Sequence, residues 1–166
     1  MSDQPICIRD REAADLDLCV QVLAKVHRTS GYPTNWPADP ARWLTPSGTV
    51  LAWVATTTEL PVAGHVIVRH LASTAAGESV AELSRLFVSP AARRQGIALT
   101  LLAQAVRWAT ANDLDLVLEV DDQLTAARAL YERAGFQLVE TGPAAWTSPD
   151  GQPVTRHRYA RSRLLQ

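Results

Sequence analysis

The stretch Glu82-Leu-Ser-Arg-Leu-Phe-Val-Ser-Pro-Ala-Ala-Arg-Arg-Gln-Gly-Ile-Ala98 carries the strongest structural signal in the sequence. It begins within an apolar run typical of a β-strand, Val80 to Val88, and leads through a turn into a helix predicted over Ile97 to Ala111. Strict alternation of apolar residues fails once, around Ser84 and Arg85, which predicts a β-bulge. A bulge would free backbone N–H and C=O groups to hold an extended amide-containing ligand.

The turn before the long helix has the features of an anion site. Two apolar rows on the helix predict that it is firmly docked, so the free N–H groups at its start are held still. Arg93 and Arg94 add positive charge at the rim, which favours a diphosphate over a single carboxylate. The alternative is structural, with two solvated arginines beside a tight turn.

Two motifs in this region resemble the GNAT superfamily of acyl-CoA-dependent N-acyltransferases. The family's central motif is Arg/Gln-x-x-Gly-x-Gly/Ala after a hydrophobic strand, and Arg93, Gly96 and Ala98 occupy its three defined positions. The segment Ala127-Arg-Ala-Leu-Tyr-Glu-Arg-Ala-Gly-Phe136 looks like the family's Ala-x-x-Leu-Tyr-x-x-x-Gly-Phe helix. The close resemblance covers Glu82 to Phe136, and the earlier part of the chain is matched by its pattern of elements alone.

The resemblance implies an α/β (α+β) fold in a single domain over residues 1–166. Its central twisted sheet would be mixed but mostly antiparallel, with about seven strands and about four flanking helices, and its fourth and fifth strands would splay apart to admit acyl-CoA. The order of predicted elements agrees with this fold. Besides those given above, the elements are helices at Asp15–His27 and Thr125–Ala134, strands at Val50–Thr56, Val62–Leu71 and Leu114–Val120, and two strands around Pro149–Gly151.

The resemblance also implies a set of acetyl-CoA-binding residues. The backbone N–H groups from Arg94 to Ala98 would hold the diphosphate, and the N–H of Phe87 or Val88 would stabilise the oxyanion. The family's helix often begins with an Asn seven residues before its Tyr, and this chain has Leu124 there. The full predicted set is Leu86, Phe87, Val88, Arg93, Arg94, Gln95, Gly96, Ile97, Ala98 and Thr100.

Two residues are the candidates for catalysis. Tyr131 stands at the family's general-acid position, and an ordinary phenol keeps its proton at neutral pH. Glu82 lies where some family members carry a glutamate that deprotonates the amine. The structural alternatives are a packed core tyrosine and an ion pair of Glu82 with Arg85 or Arg94. Other candidates for the base are Asp121, Asp122, His65 and His70.

The predicted acceptor side comprises an aromatic loop and the last hairpin, around Trp146 to Tyr159. The loop carries Tyr32, Trp36 and Trp43, which either staple it to the core or line a pocket. Acidic residues would line the cleft and attract a cationic amine, namely Glu82, Asp39 and Asp121. A small-molecule primary amine is the first expectation for the acceptor, and a protein N-terminus or lysine is the alternative.

Composition excludes several other classes of protein. With 16 basic and 17 acidic residues the formal charge is −1, so no basic excess favours nucleic acid. No signal peptide and no run of ~18 apolar residues is evident, which predicts a cytoplasmic protein without membrane contact. Cys7 and Cys19 are predicted to be buried, and no metal site is expected. A monomer or homodimer is expected, and a non-catalytic acyl-CoA sensor is the other functional class.

Overall fold

The computed structural model describes residues 4–71 and 79–162, and within them seven strands form one sheet. Their spatial order is β1-β2-β3-β4-β5-β7-β6. The β4–β5 pair is parallel and every other pair is antiparallel, so the mixed, mostly antiparallel sheet is confirmed. The strands are β1 (Cys7–Asp10), β2 (Thr49–Thr56), β3 (Gly64–His70), β4 (Val80–Val88), β5 (Asp115–Asp121), β6 (Gln137–Thr147) and β7 (Pro153–Arg161).

Four α-helices accompany this sheet in the described part of the chain, as predicted. The helices are α1 (Leu16–Ser30), α2 (Pro40–Trp43), α3 (Ile97–Ala111) and α4 (Thr125–Arg133). The Asp39 side chain caps α2 by accepting a hydrogen bond from the Arg42 N–H at 3.1 Å, and proline occupies the first position of the helix. None of these helices is long and apolar enough to cross a membrane.

Strands β4 and β5 diverge soon after they begin, and this confirms the predicted splay. They pair only through Val80–Glu82 and Asp115–Val117. Beyond those residues the two strands share no ladder, although both continue for several positions. Their separation opens the sheet at its centre, and Glu82 lies at the point where it begins.

The predicted bulge is present in β4 and explains the broken alternation. His65 of β3 lies opposite Phe87, whereas Ile67 lies opposite Ser84, so β4 carries one extra residue in this interval. Arg85 occupies it with φ of +55°. Before the bulge Leu83 faces the core beside α3, and after it Phe87 faces the second core beside α1. The bulge therefore reverses the side of the sheet to which alternate β4 side chains point.

Helix α3 is docked tightly because β3 begins with a glycine. A Cβ at Gly64 would lie 2.8 Å from Ile97 Cγ2 and 3.0 Å from Leu101 Cδ1, closer than side chains pack. Ile97 and Leu101 are buried in the same core. The missing side chain thus lets the first turn of α3 lie directly on the sheet, which fixes the position of the helix N-terminus.

The cysteine prediction is correct for Cys19 and wrong for Cys7. Cys19 is fully buried in α1, where burial raises the pKa of its thiol to about 11. Cys7 is exposed, because it begins the short edge strand β1, which has a neighbour on one side only.

Candidate active site

A cleft of about 890 Å³ occupies the gap between β4 and β5. Its walls come from both strands, from the start of α4 and from the loop that follows α1. Ala145 and Trp146 of β6 close one side, so the aromatic loop and the last hairpin border the same cleft, as predicted. The Asn35 side chain joins these two segments by donating to the Thr147 carbonyl at 2.8 Å.

The turn before α3 has a backbone shape suited to an anion. Arg94 and Gly96 have φ of +64° and +76°, so left-handed residues alternate with ordinary ones. Such alternation turns successive N–H groups toward a common centre, and the N-terminus of α3 adds its dipole. Arg93 and Ala98 line the cleft beside this turn. A Cβ at Gly96 would meet nothing within 4 Å, so the space beside it is open.

Two predicted ligands of this turn make hydrogen bonds within the protein: one terminal nitrogen of Arg93 is engaged, and so is the hydroxyl of Thr100. Arg93 donates to the hydroxyls of Thr29 and Ser30 at the end of α1. The Thr100 hydroxyl donates to the Gly96 carbonyl at 2.8 Å, so its proton is not available to a phosphate. Ile97 is buried, and its side chain packs in the core beside Gly64.

The open edge of β4 presents backbone donors to the cleft. Ser89 N–H donates to the Ala63 carbonyl, 2.8 Å away on the side of β3. Because successive N–H groups of a strand point to opposite edges, those of Val88 and Leu86 point toward β5. The N–H of Phe87 then points toward β3. Of the two predicted oxyanion donors the geometry favours Val88, and it adds Leu86.

Tyr131 lies on α4 and lines the cleft opposite this edge. Its ring packs against Phe136 and Tyr159, with ring centroids 6.1 and 6.3 Å away. Burial raises the pKa of Tyr131 well above its ordinary value of 10.0, and the nearby Tyr32 raises it further. The phenol is therefore protonated at neutral pH. The ring contacts show the packing role, and the acid role stays a prediction.

Glu82 lies at the closed end of the gap and lines the cleft. Its Oε1 accepts a hydrogen bond from Arg69 Nε at 2.8 Å, so its partner is Arg69 and not Arg85 or Arg94. Asp121, at the end of β5, also lines the cleft and is buried. It accepts hydrogen bonds from the Thr34 hydroxyl at 3.3 Å and from the Gln123 N–H at 2.8 Å.

The other candidate bases lie outside the cleft. Asp122 is engaged by His157 and Arg128, and His70 is exposed at the end of β3. His65 is fully buried and has both ring nitrogens in hydrogen bonds. Asp39, expected to make the cleft acidic, instead caps α2 and does not reach it. The acids that line the cleft are therefore Glu82, Asp121 and, in place of Asp39, Glu119; Glu82 and Glu119 are both ion-paired.

The aromatic residues of the loop lie partly in the cleft and partly at the surface. Tyr32 and Trp43 line the cleft and pack edge to face with ring centroids 6.1 Å apart. Trp36 is 41% exposed, packs against His27 and does not line the cleft. Two of the three predicted aromatics thus line the cleft, and their role toward the acceptor stays a prediction. Leu124, which replaces the family's usual Asn, lines the cleft with an apolar side chain.

Arg85 is the cleft residue that sequence reasoning assigned only to a surface ion pair. Its guanidinium lies over the Trp43 ring, with Cζ 3.9 Å from the centroid. Its Nε donates to the Trp43 carbonyl at 3.0 Å, and a terminal nitrogen donates to the Ser84 hydroxyl at 3.0 Å. The signal was in the sequence, because a residue at a bulge points away from the regular alternation.

The comparisons with known proteins agree with this geometry. The model of the acetyltransferase (GNAT) family matches residues 20–136, and the chain belongs to this family. A curated relative, GCN5-related N-acetyltransferase 6, chloroplastic, from Arabidopsis thaliana, is 39% identical over 61 residues. That alignment covers 36% of this chain and 21% of the relative, so the chain spans only about a fifth of that protein's length.

Solved structures share the whole fold at low sequence identity. A phosphinothricin acetyltransferase of the GNAT superfamily from Sinorhizobium meliloti, in complex with AcCoA, superposes with a TM-score of 0.76 at 22% identity, covering 94% of this chain and 87% of that one. The ribosomal-protein-S18-alanine N-acetyltransferase from Escherichia coli superposes with a TM-score of 0.74 at 21% identity, covering 94% and 92%. One is named for a small molecule and the other for a protein, so the shared fold does not select the acceptor.

Proposed function

We propose that this protein transfers an acetyl group from acetyl-CoA to the primary amine of a small molecule, directly within a ternary complex. The observation that carries the proposal is the cleft between β4 and β5. It brings the α3 turn, the open edge of β4 and Tyr131 to one cavity of about 890 Å³. That volume lies in the range of small-molecule sites.

The residues present fit acetyl-CoA as the cosubstrate. The left-handed turn at Arg94 and Gly96 offers converging N–H groups for the diphosphate. The gap-facing N–H groups of Leu86 and Val88 suit the amides of an extended arm and the oxygen of the thioester. Apolar Leu124 adds packing but no hydrogen bond, so the backbone supplies most of the polar contacts.

Direct transfer is supported by the positions of the two cysteines. Neither Cys7 nor Cys19 lines the cleft, and burial raises the pKa of the Cys19 thiol to about 11. An acyl-cysteine step would need a thiolate close to the thioester. The amine is therefore the nucleophile in this proposal, and it attacks the thioester carbonyl itself.

In the proposed reaction Tyr131 donates a proton to the departing thiolate. Burial keeps the phenol protonated but also makes it a weaker acid. The thiolate leaves within the same desolvated cleft, where its own proton affinity is raised in the same direction. Glu82 at the closed end of the gap receives the amine's proton, directly or through water, and Asp121 is the alternative acceptor in the cleft.

A thiol-release assay tests this function. Acetyl-CoA is incubated with the protein and with a panel of amines, amino acids, aminoglycosides and short peptides, and free thiol is measured. Release that depends on a small amine supports the proposal, and release with peptides alone would transfer the activity to a protein acceptor. Calorimetric binding of acetyl-CoA without release for any acceptor would contradict catalysis and favour the sensor.

A further inference from the structure

Arg85 is a half-buried cation in the acceptor part of the cleft without a matching anion. It lines the cleft beside Tyr32 and Trp43. Among residues 4–71 and 79–162 no carboxylate lies within ion-pair distance of it. Burying a charge without a partner is unfavourable, and here desolvation lowers the pKa of the Arg85 guanidinium.

The guanidinium is held in a fixed orientation. One face lies on the Trp43 ring, Nε donates to the Trp43 carbonyl, and a terminal nitrogen donates to the Ser84 hydroxyl. These contacts use two of the five N–H donors of an arginine side chain, so three stay free. The free donors are on the terminal nitrogens, which form a planar fork suited to a carboxylate.

The neighbouring ionisable groups leave room for an anion at this fork. Glu82, three residues earlier on β4, attracts Arg85 electrostatically and partly offsets the lowering of its pKa, but the Glu82 carboxylate is hydrogen-bonded to Arg69. Tyr32 is neutral, because burial raises its pKa to about 12.

We propose that Arg85 binds the carboxylate of the acceptor, so that the acceptor is a free amino acid. This inference rests on the proposed function and narrows it. The acceptor's amine meets the thioester at the open edge of β4, and its carboxylate meets the fork of Arg85 one residue before Leu86. A purely structural role, in which Arg85 only joins β4 to Trp43, makes no such selection.

Matched acceptors separate these roles. Each amino acid is compared with its α-amide and with its decarboxylated amine, and short amidated peptides form a further arm. The measurement is kcat/KM from thiol release. We expect the parent to prefer the free amino acid by about 10- to 100-fold, mainly through KM, because a charge-assisted hydrogen bond is lost in the analogues.

Substitutions of Arg85 test whether this residue causes the preference for free amino acids. Arg85→Gln should abolish the discrimination, and Arg85→Lys should retain part of it, because lysine keeps the charge but not the fork. Arg107→Gln is the matched control, because this substitution removes the same charge from a residue that is exposed on α3 outside the cleft. It should leave the preference unchanged. Melting temperatures of all variants show whether each remains folded.

The outcomes distinguish this inference from the function on which it rests. Equal rates with amino acids and their decarboxylated amines, or faster reaction of amidated peptides, would overturn the carboxylate site and leave acetyl transfer standing. No thiol release with any acceptor would overturn the function. Calorimetric titration of amino acids into the CoA-bound parent and Arg85→Gln proteins then decides the site, since binding that does not depend on Arg85 rejects it.

Discussion

The Nδ1–H of His65 donates a hydrogen bond to the carbonyl oxygen of Arg85, 2.9 Å away across the β4 bulge. The direction of this bond follows from the other ring nitrogen. Nε2 lies 2.8 Å from a terminal nitrogen of Arg11, which can only donate, so Nε2 accepts and Nδ1 carries the proton. A neutral, buried histidine thus stabilises the β4 backbone at the bulge by a hydrogen bond.

This arrangement predicts that the protein loses stability in mild acid. Burial lowers the pKa of His65 to about 3 from its ordinary value of 6.5. Between pH 3 and 6.5, His65 is protonated in the unfolded chain but neutral in the folded protein. The contribution of His65 to the free energy of unfolding is therefore fully present above pH 6.5 and is lost as the pH falls toward 3. The slope should approach about 1.4 kcal/mol per pH unit. Urea unfolding at several pH values measures it.

The His65→Asn variant should lower the stability but flatten this slope, because its amide cannot be protonated in this range. His70→Asn is the control, since His70 lies exposed at the end of β3. If the free energy of unfolding depends on pH equally in the parent and in His65→Asn, another titratable group causes the loss of stability in acid.

Gly96→Val should weaken acetyl-CoA binding by distorting the turn before α3. Gly96 has φ of +76°, where a β-branched residue is strained, and the added side chain would occupy the open space beside the turn. Calorimetry measures the affinity. Gly151→Val is matched to it, with φ of +83° and open surroundings in the β6–β7 turn, and it should bind normally. Equal affinity of the two variants would refute the diphosphate site.

Tyr131→Phe should lower kcat by at least ~100-fold while acetyl-CoA affinity changes little, because it keeps the ring and removes the proton donor. The test needs an acceptor for which chemistry is rate-limiting. Near-parental kcat combined with a lower melting temperature would instead assign Tyr131 to packing against Phe136 and Tyr159, and solvent would supply the proton.

Glu82→Gln should also lower kcat/KM, by about 10²- to 10⁴-fold, because the amide cannot receive the amine's proton. The amide oxygen still accepts the hydrogen bond from Arg69, so the fold should be retained. Glu119→Gln is the control, as Glu119 lines the cleft and is paired with Arg156. If Glu82→Gln is nearly as active as the parent and Asp121→Asn is not, Asp121 is the base.

Gly64→Ala should destabilise the protein by about 1–3 kcal/mol and weaken acetyl-CoA binding. Its methyl group would collide with Ile97 and Leu101 and displace the start of α3. Gly142→Ala is the control, because the nearest atom to its Cβ is Glu140 Oε1 at 3.8 Å. Unfolding by urea and calorimetry give the two quantities, and loss of stability with unchanged affinity would separate docking of α3 from the anion site.

The sequence by itself determined the order of elements, the bulge and the glycine turn, and the resemblance of its motifs to the GNAT family singled out Tyr131 and Glu82 as candidates. These are local properties, since periodicity, turn residues and motif spacing depend on neighbours within a few positions. The bulge followed from a break in alternation at Ser84 and Arg85, and the structure places its extra residue there.

Only the tertiary structure decided which side chains share the cleft and which partners they take. Glu82 pairs with Arg69 on the neighbouring strand, Trp36 turns to His27 at the surface, and Cys7 falls on an edge strand. Arg85 meets Trp43 across 42 positions of chain. Such contacts depend on strand register and helix docking, which a linear pattern does not specify, because many distant residues share the same chemistry and only folding selects among them.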